Sequence, residues 1–585
     1  MTSRLAVPRH LRRRLRPQNE EAARALASEL GLPPAAARAL AARGFDRSGA
    51  ARAFLFPSPD QLHDPFALAG LPEAVERLAS TARRGGRVVV FGDYDCDGVG
   101  ALAILSTVLG RLGADARAFI PHRVADGYGL RSATLARAMD EHDPEGIVTV
   151  DCGITAVEPV AEATRRGAYV VITDHHLPKA ALPDGAVLVD PKLPGCPYPY
   201  KELCGAGLAW KLAEALMRVA GEEAGLSPGT QRSWLASFAK LAALSTVADV
   251  VPLTGENRVL VAWGLAGLAD PRAPGLVALL RRAGIPRGRG PTAREVAFRV
   301  APRLNAAGRV DHARRALELL TTTDRARAER LAEELEAANE ERRAMQDRLV
   351  AEVLSRLERD FDPGQAVVVE AGDAGDVWHR GVLGLAASKV AERVRRPVLL
   401  FSREGDVLSG SGRTFGTTPL YERVAPVVSR FTKEFGGHAA ALGITLPASA
   451  WREFRERLAC AFAEARDDAE WETEVLADTE ARPEELTEEL ARALARFEPH
   501  GPENPRAVLR LRGLSWDGRG RPVGERGLRT TFTSGPSRVD AIGWTLAEME
   551  AGDRPPVVDV HAHLGIDGWT GRPTLDVVDV SAAAP

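Results

Sequence analysis

Between about residues 85 and 190, short Val- and Ile-rich runs alternate with helix-like segments such as Val99 to Leu109 and Val157 to Arg166. This alternation predicts a parallel sheet covered on both faces, an α/β arrangement whose ligands gather at the carboxyl ends of the strands. Acids or imidazoles follow an apolar run in four places. These are Val88-Val89-Val90-Phe91-Gly92-Asp93-Tyr94-Asp95-Cys96-Asp97-Gly98, Val148-Thr149-Val150-Asp151, Val171-Ile172-Thr173-Asp174-His175-His176 and Thr246-Val247-Ala248-Asp249, each read as placing its polar groups just past a strand. Hard divalent ions such as Mg²⁺ or Mn²⁺ prefer carboxylate oxygens, and an imidazole suits Mn²⁺ better. Together the stretches read as a two-metal phosphoesterase site, in which ions about 3.5–4 Å apart activate a water and stabilise a leaving oxygen.

Asp93, Asp95 and Asp97 alternate, so a continuing strand would put them on one face, whereas Gly98 marks a turn. Either geometry crowds negative charges, which is costly unless cations sit between them. Each motif alone has a plainer reading. Asp-x-Asp-x-Asp-Gly is a turn or a calcium loop, although Val99 to Ile104 lack the bidentate Glu that such a loop requires. The His pair could be a capped turn, and Asp151 or Asp249 an ordinary strand-end acid. Their joint occurrence favours the metal site.

A chain of 585 residues corresponds to several domains, at roughly 100–200 residues each. Apolar residues at 45% and charged residues at 26% are ordinary for a globular protein. No run approaches the roughly 18–20 apolar residues of a membrane span. Leu11-Arg12-Arg13-Arg14-Leu15-Arg16 has no apolar segment after it, so a cytoplasmic address without membrane attachment is expected. The five cysteines form no Cys-x-x-Cys pair and are expected to be free thiols. A net charge of −3 gives no global signature of nucleic-acid binding, so any such role needs cations concentrated in one groove.

Residues 1 to about 75 look helical. Residues 203 to 285 are mostly helical too and carry Asp249 followed by Glu256-Asn257-Arg258. Arg299 to Arg309 read as a loop holding phosphates through Arg303 and Arg309, or as surface ion pairs. A long helix from Asp324 to Glu358 is expected to bridge two lobes, with Glu334-Leu335-Glu336 and Glu340-Glu341-Arg342-Arg343 on a solvated face. Asp362-Pro363-Gly364 marks a linker.

A second α/β unit runs from Ala366 through Trp378-His379-Arg380-Gly381-Val382-Leu383-Gly384 and Pro397 to Phe401. In Ser409-Gly410-Ser411-Gly412-Arg413-Thr414 small residues could let backbone N–H groups approach a phosphate, with Arg413 supplying charge; this segment and Phe435-Gly436-Gly437-His438 are otherwise turns. After a turn-rich boundary at Phe497 to Pro505, strands are expected at Ala507–Leu514, Leu528–Thr533, Arg538–Trp544, Val557–Leu564 and Leu575–Val580, the count of an oligonucleotide-binding barrel. His561 and His563 read as an exposed or cross-strand polar pair, and Trp544 and Trp569 as core residues by default, with stacking as the other reading.

As an ordered set, Phe91 to Gly98, Asp174-His175-His176, Ala248-Asp249-Val250-Val251-Pro252-Leu253 and Arg303-Leu304-Asn305-Ala306-Ala307-Gly308-Arg309 resemble the DHH phosphoesterase superfamily. Within it they are similar to the bacterial single-strand-specific DNA exonucleases, as are Ile120 to Arg123 with Asp126-Gly127-Tyr128-Gly129-Leu130, and Trp378 to Gly381. The resemblance runs from about residue 40 to the C-terminus and implies, after the helical segment at 1–75, a DHH parallel-sheet domain at 76–320, a connecting helix at 321–360, a DHHA1 α/β domain at 361–460, and a linker with an OB-fold β-barrel at 461–585. It implies 5′→3′ degradation of single-stranded DNA to 5′-mononucleotides with two Mn²⁺ or Mg²⁺ ions. A single-strand-binding protein and a DNA helicase are candidate partners. Asp95, Asp97, Asp151, His175 and Asp249 would be metal ligands, with Asp151 bridging, while Asp93 and His176 stand in or beside that set. Arg303, Asn305, Arg309, Ser411, Arg413 and His438 would contact phosphates. Leu442 departs from the family's pattern after Gly-Gly-His, which would alter packing beneath that segment and leave His438 in place. A DHH enzyme acting on short oligonucleotides, cyclic dinucleotides or pyrophosphate, an inactive DNA-binding scaffold, and a structural α/β protein are the competing readings.

Overall fold

A computed structural model describes residues 11–583 apart from 124, 128, 361, 363, 374, 376, 525, 526, 545 and 547–554. Tyr128, Pro363 and the first ten positions of the helical N-terminal segment therefore lie outside the described residues. The N-terminal segment is helical at α1 (Glu20–Leu30), α2 (Pro34–Ala42) and α3 (Ser48–Leu55). The Arg-rich run expected to be helical is instead β1 (Leu11–Leu15), paired in parallel with residues 473–477 and anchored by Arg13 on Asp579. A partner strand so distant in sequence overrides local preference. Leu26, Leu40 and Leu55 share one core with Leu509, Phe532 and Val560, so the two ends of the chain form one body.

After α4 (Leu71–Arg83) comes the first α/β domain: β2 (Arg87–Gly92), α5 (Cys96–Arg111), β3 (Asp115–Phe119), α6 (Ser132–His142), β4 (Gly146–Val150), α7 (Val157–Arg165), β5 (Tyr169–Thr173) and β6 (Ala186–Val189). The strands are parallel in the order β3-β2-β4-β5-β6. Their near-continuous Val and Ile runs are buried on both faces, Val90 and Val148 against one set of helices and Val89 and Ile147 against the other. Four helices follow, α8 (Gly205–Ala220), α9 (Pro228–Ala248), α10 (Gly255–Gly267) and α11 (Pro274–Arg282). Thr246 to Ala248, expected as a strand, is the last turn of α9; a short apolar run suits either form, and here a Ser227 cap and the preceding Ala-rich turns decide.

The expected phosphate loop at Arg299 to Arg309 is helical as well. A short α12 (Ala293–Glu295) and a π-helical turn at Val296–Val300 lead into α13 (Ala301–Val310), then α14 (Arg314–Thr321). The long helix is α15 (Arg325–Asp360): Leu331 and Leu335 enter the first domain's core, and Leu349, Val353 and Leu357 enter the second's, so it bridges both.

The second domain comprises β7 (Val368–Asp373), α16 (Leu383–Val394), β8 (Val398–Glu404), β9 (Val407–Arg413), α17 (Leu420–Val428), β10 (Phe435–His438), β11 (Ala441–Pro447) and α18 (Trp451–Glu464), with strand order β10-β11-β9-β8-β7. Ser409 to Gly412 lie in β9 between two neighbours, Ser411 facing Leu400 and Gly443, so their amides serve the ladder and are not turned toward a phosphate. Their small size answers to packing: a Cβ on Gly410 would sit 2.3 Å from the Phe401 ring. Gly436 and Gly437 likewise belong to a strand rather than a free turn, and Leu442 is buried opposite Gly412 and Gly437.

Beyond β12 (Thr473–Ala477), β13 (Thr479–Glu480) and α19 (Glu488–Ala495), every expected barrel strand is present. They are β14 (Leu509–Ser515), β16 (Gly527–Ser534), β17 (Ser537–Gly543), β18 (Val557–Ile566) and β19 (Pro573–Ala582), with β15 (Arg521–Val523) added at one side. The order β14-β18-β19-β17-β16 closes through Ser515 beside Thr533. His561 is buried across the strand pair from Asp579, and His563 Nδ1 lies 2.8 Å from the Ala507 carbonyl. Trp544 and Trp569, expected in the core, are 54% and 97% exposed, Trp569 in the β18–β19 turn where a small barrel has no interior to hold it. Among the described residues no helix is long and apolar enough to cross a membrane, and no disulfide forms.

Candidate metal centre

The Asp-x-Asp-x-Asp run is a strand-to-helix turn. Asp95 caps α5, its Oδ1 accepting the Asp97 and Gly98 amides at 2.9 and 3.1 Å. Gly98 is required by the close approach, since a Cβ there would lie 2.6 Å from the Asp93 carbonyl oxygen. Asp97 Oδ2 and Oδ1 accept the Gly205 and Ala206 N–H groups at 2.6 and 2.9 Å, so the N-terminus of α8, with its positive end of the helix dipole, holds this carboxylate. Asp151 follows β4 with φ at 60°, and Asp249 caps the C-terminus of α9 just before Val250 at φ 62°. Left-handed backbone at non-glycine residues costs about 1–3 kcal/mol and persists where surrounding structure imposes it, often at functional sites.

His175 Nε2 lies 3.0 Å from Asp151, 3.7 Å from Asp249 and 3.8 Å from Asp97. Asp174 anchors the histidine pair: its Oδ1 accepts the His175 and His176 amides and the His176 Nδ1–H at 2.7 Å, and its Oδ2 accepts the Ile154 amide. Among the described residues, ligand atoms fall into three groups, Asp93 with Asp95 and Asp151, Asp151 with His175 and His176, and Asp97 with His175 and Asp249. Asp151 and His175 are each shared between two groups.

Burial, followed by neighbouring acids, pushes Asp93 and Asp151 well up, Asp97 to about 6 and Asp249 to about 9. Carboxylates so close cannot all ionise without a compensating charge. Asp93 Oδ1, Asp249 Oδ2 and His175 Nδ1 are buried without a hydrogen-bond partner among the described residues. Oxygen donors in excess of protons, mutually repelling and left unbonded, fit one or more divalent cations. Burial lowers His175 to about 3, which keeps its imidazole neutral and able to bind a metal. Burial would lower His176 too, but the bond to Asp174 raises it to about 9.

The expected phosphate contacts separate. Arg303 turns to α15 and pairs with Glu336 at 2.6 and 2.9 Å, so Glu336 is not part of a solvated face and Arg303 has the ion-pair role. Asn305 Oδ1 accepts the Cys96 amide at 2.7 Å, fixing the α5 turn. Arg309 reaches across to the Gly381 carbonyl at 3.1 Å, and Arg413 lies against Gly384 while donating to Ser411 Oγ at 2.9 Å. His438 stays exposed on the β10–β11 hairpin.

Arg309 falls to about 9 through burial and then through Arg123, Arg342 and Arg413, while Asp95 opposes the fall. A group of guanidinium cations with few counter-charges therefore borders the acidic cluster. Arg123, stacked 4.6 Å over Tyr94, was marked in the sequence only as part of a family-like segment, and Arg342, expected on a solvated face, is instead buried and held by Asn339 and Gln346. Asp174 as an orienting group, Gly205 as a contact, and Asp190 at the end of β6, which burial raises to about 7, were not singled out in the sequence. Asp174 was part of the Asp174-His175-His176 motif without its orienting role, and only the strand-end position of Asp190 could have marked that residue.

Family models match three successive stretches: the DHH family, N-terminal domain, at residues 87–246, the DHHA1 domain at 364–464, and the RecJ OB domain at 477–578. The fold and the acidic edge of its first sheet thus define a protein of the DHH class. A single-stranded-DNA-specific exonuclease RecJ of Bacillus subtilis (strain 168) is 32% identical over 576 residues, covering 97% of this chain and 70% of the relative. The chain belongs to the RecJ family. The crystal structure of RecJ in complex with Mn²⁺ from Thermus thermophilus superposes with a TM-score of 0.82 at 31% identity, covering 98% of this chain and 80% of that one. Its Mg²⁺ complex gives 0.76 at 31% identity, with coverages of 98% and 79%.

Proposed function

We propose that this protein is a metal-dependent exonuclease that hydrolyses single-stranded DNA from its 5′ end to 5′-mononucleotides, in DNA repair and recombination. One observation carries the reading: the carboxylates and imidazoles at the sheet's carboxyl edge are bordered by the cationic group of Arg123, Arg309, Arg342 and Arg413. The first set suits cations and the second suits the phosphates of a strand lying between the two lobes. The relatives' single-strand specificity supports that preference, and the polarity is carried over from the family resemblance alone.

Asp93, Asp95, Asp97, Asp151, His175 and Asp249 would hold two ions, Mn²⁺ or Mg²⁺. When bound, such a pair supplies activation of a water and neutralisation of charge on the scissile phosphate. The chain's own groups do the rest. The α8 N-terminus fixes Asp97, Asp174 fixes the backbone of both histidines and the His176 imidazole, and His176, protonated below about pH 9, presents a positive charge to the reacting phosphate. Arg309 and Arg413 draw phosphate oxygens toward the turn at Gly381 and Gly384, with Ser411 oriented by Arg413, while Arg303 and Asn305 act by holding α13 and α5. The barrel retains the distal strand through exposed aromatic side chains.

On kinship alone we add a cytoplasmic location and, as partners, a single-strand-binding protein and a helicase. The reading is tested with end-labelled single strands blocked at either end and incubated with purified protein and Mn²⁺. Mononucleotide release stopped by the 5′ block alone supports it, and release stopped by the 3′ block alone reverses the polarity. Asp95→Ala should abolish cleavage while largely sparing DNA binding.

A further inference from the structure

Glu256, Asn257 and Arg258 form the first turn of α10, are buried, and take no part in the chemistry above. Glu256 is neutralised by Lys211 at 2.7 Å and accepts from the Tyr198 hydroxyl at 2.6 Å. Asn257 Nδ2 donates to the Glu202 and Pro252 carbonyls at 2.5 and 3.0 Å. Pro252 lies just beyond Asp249, and Glu202 just ahead of the Gly205 amide that holds Asp97. One amide group thus ties together the two segments that place these acids.

Arg258 reaches the other way. Its Nε donates to the Phe54 carbonyl at 2.9 Å, Nη1 to Phe497 at 2.9 Å, and Nη2 to Arg496 and Glu498 at 3.1 and 2.8 Å, with the guanidinium 3.9 Å from the Phe54 ring centroid. Residues 496–499 open the arm that leads into the barrel. The same arm touches the metal-site segment directly: the Leu253 amide donates to the Pro502 carbonyl at 2.9 Å, and a Cβ on Gly501 would lie 2.6 Å from Leu253 Cδ1. Only a planar fork of donors can serve so many carbonyls at once, and an ammonium cannot reproduce it.

We propose that Asn257 and Arg258 are positioning residues, fixing the segment 250–253 against the barrel arm so that the placement of Asp249, and with it divalent-cation affinity, depends on where the arm sits. The inference rests on reading the acidic cluster as a metal site. It is tested on the full chain without DNA by titrating Mn²⁺ and following the free-ion EPR signal, with thermal unfolding in parallel. Arg258→Lys and Gly501→Ala, neither at a ligand, should weaken Mn²⁺ binding about tenfold or more, as losses of groups that support metal ligands do. Leu564→Ala, in the barrel core, should lower the melting temperature and leave Mn²⁺ affinity alone. Folded variants that bind Mn²⁺ as the wild type does overturn the proposal, leaving the clamp purely structural. Should Arg258→Lys not fold, Gly501→Ala decides, because it keeps the clamp. Wild-type protein that takes up no Mn²⁺ removes the metal-site reading itself, a separate failure.

Discussion

Asp174 Oδ1 stands 2.7 Å from His176 Nδ1, and the same oxygen accepts the backbone amides of both histidines. One carboxylate therefore fixes the backbone of both histidines and sets the orientation and charge of the His176 imidazole. Asp174→Asn should return His176 from about 9 toward the ordinary imidazole range and reduce turnover about 10–100-fold. NMR titration of His176 and single-turnover kinetics check this. An unchanged titration would remove Asp174 from the account.

Gly205 has no room for a methyl group, because its Cβ would lie 2.6 Å from that of Asp151. Gly205→Ala should push the α8 N-terminus off Asp97 and weaken Mn²⁺ binding by about tenfold or more. Calorimetric titration measures it, and wild-type affinity would contradict the close approach.

Arg303 and Arg309 share α13 but have different neighbours. Arg303→Met leaves Glu336 nearly buried and unpaired, and should cost about 2 kcal/mol of stability, below the 3–5 kcal/mol of a fully buried pair, with no change in KM for DNA. Arg309→Met should instead raise KM. Denaturant unfolding and steady-state kinetics on both variants separate the roles, and a KM defect in Arg303→Met would restore it as a phosphate contact.

Asp93, Asp97, Asp151 and Asp249 stand above the ordinary carboxylate range, Asp97 at about 6 and Asp249 at about 9, through burial and then adjacent acids. The metal-free folded chain thus keeps protons that the unfolded chain has released. This contribution to stability is full below the ordinary carboxylate range and is lost as pH rises through 6 and 9. Bound cations remove the repulsion, so Mn²⁺ should raise the melting temperature more at about pH 9 than at about pH 6. Equal shifts at both pH values would contradict the assigned charge state.

Trp569 is almost fully exposed at the barrel's β18–β19 turn. Base stacking on an aromatic is worth about 1–3 kcal/mol, so Trp569→Ala should weaken binding of long strands by roughly tenfold while sparing cleavage of very short ones. Fluorescence quenching and competition binding check it.

The strand-end acids were legible because Asp93, Asp151 and Asp174 each follow a run that only a doubly covered strand accommodates. Asp249 was found for the right chemistry on the wrong element, since Thr246 to Ala248 suits a helix equally. Ser409 to Gly412 have a turn's composition, but they lie in a strand, and at Gly410 it is the Phe401 ring that leaves no room for a side chain. The contacts of Gly205 with Asp97 and of Arg258 with residues 496–499 join distant stretches, and nothing in local spacing announces them. Arg303 and Arg309 look alike in sequence, and only the course of α15 beside one of them sorts their roles.

The central claim is that separate segments cage a pair of divalent ions. Anomalous diffraction at the manganese edge from Mn²⁺-soaked crystals tests it most directly. Two peaks about 3.5–4 Å apart, on either side of Asp151 and within reach of Asp95, Asp97, His175 and Asp249, are the predicted result. An absence of anomalous density among these side chains would contradict it.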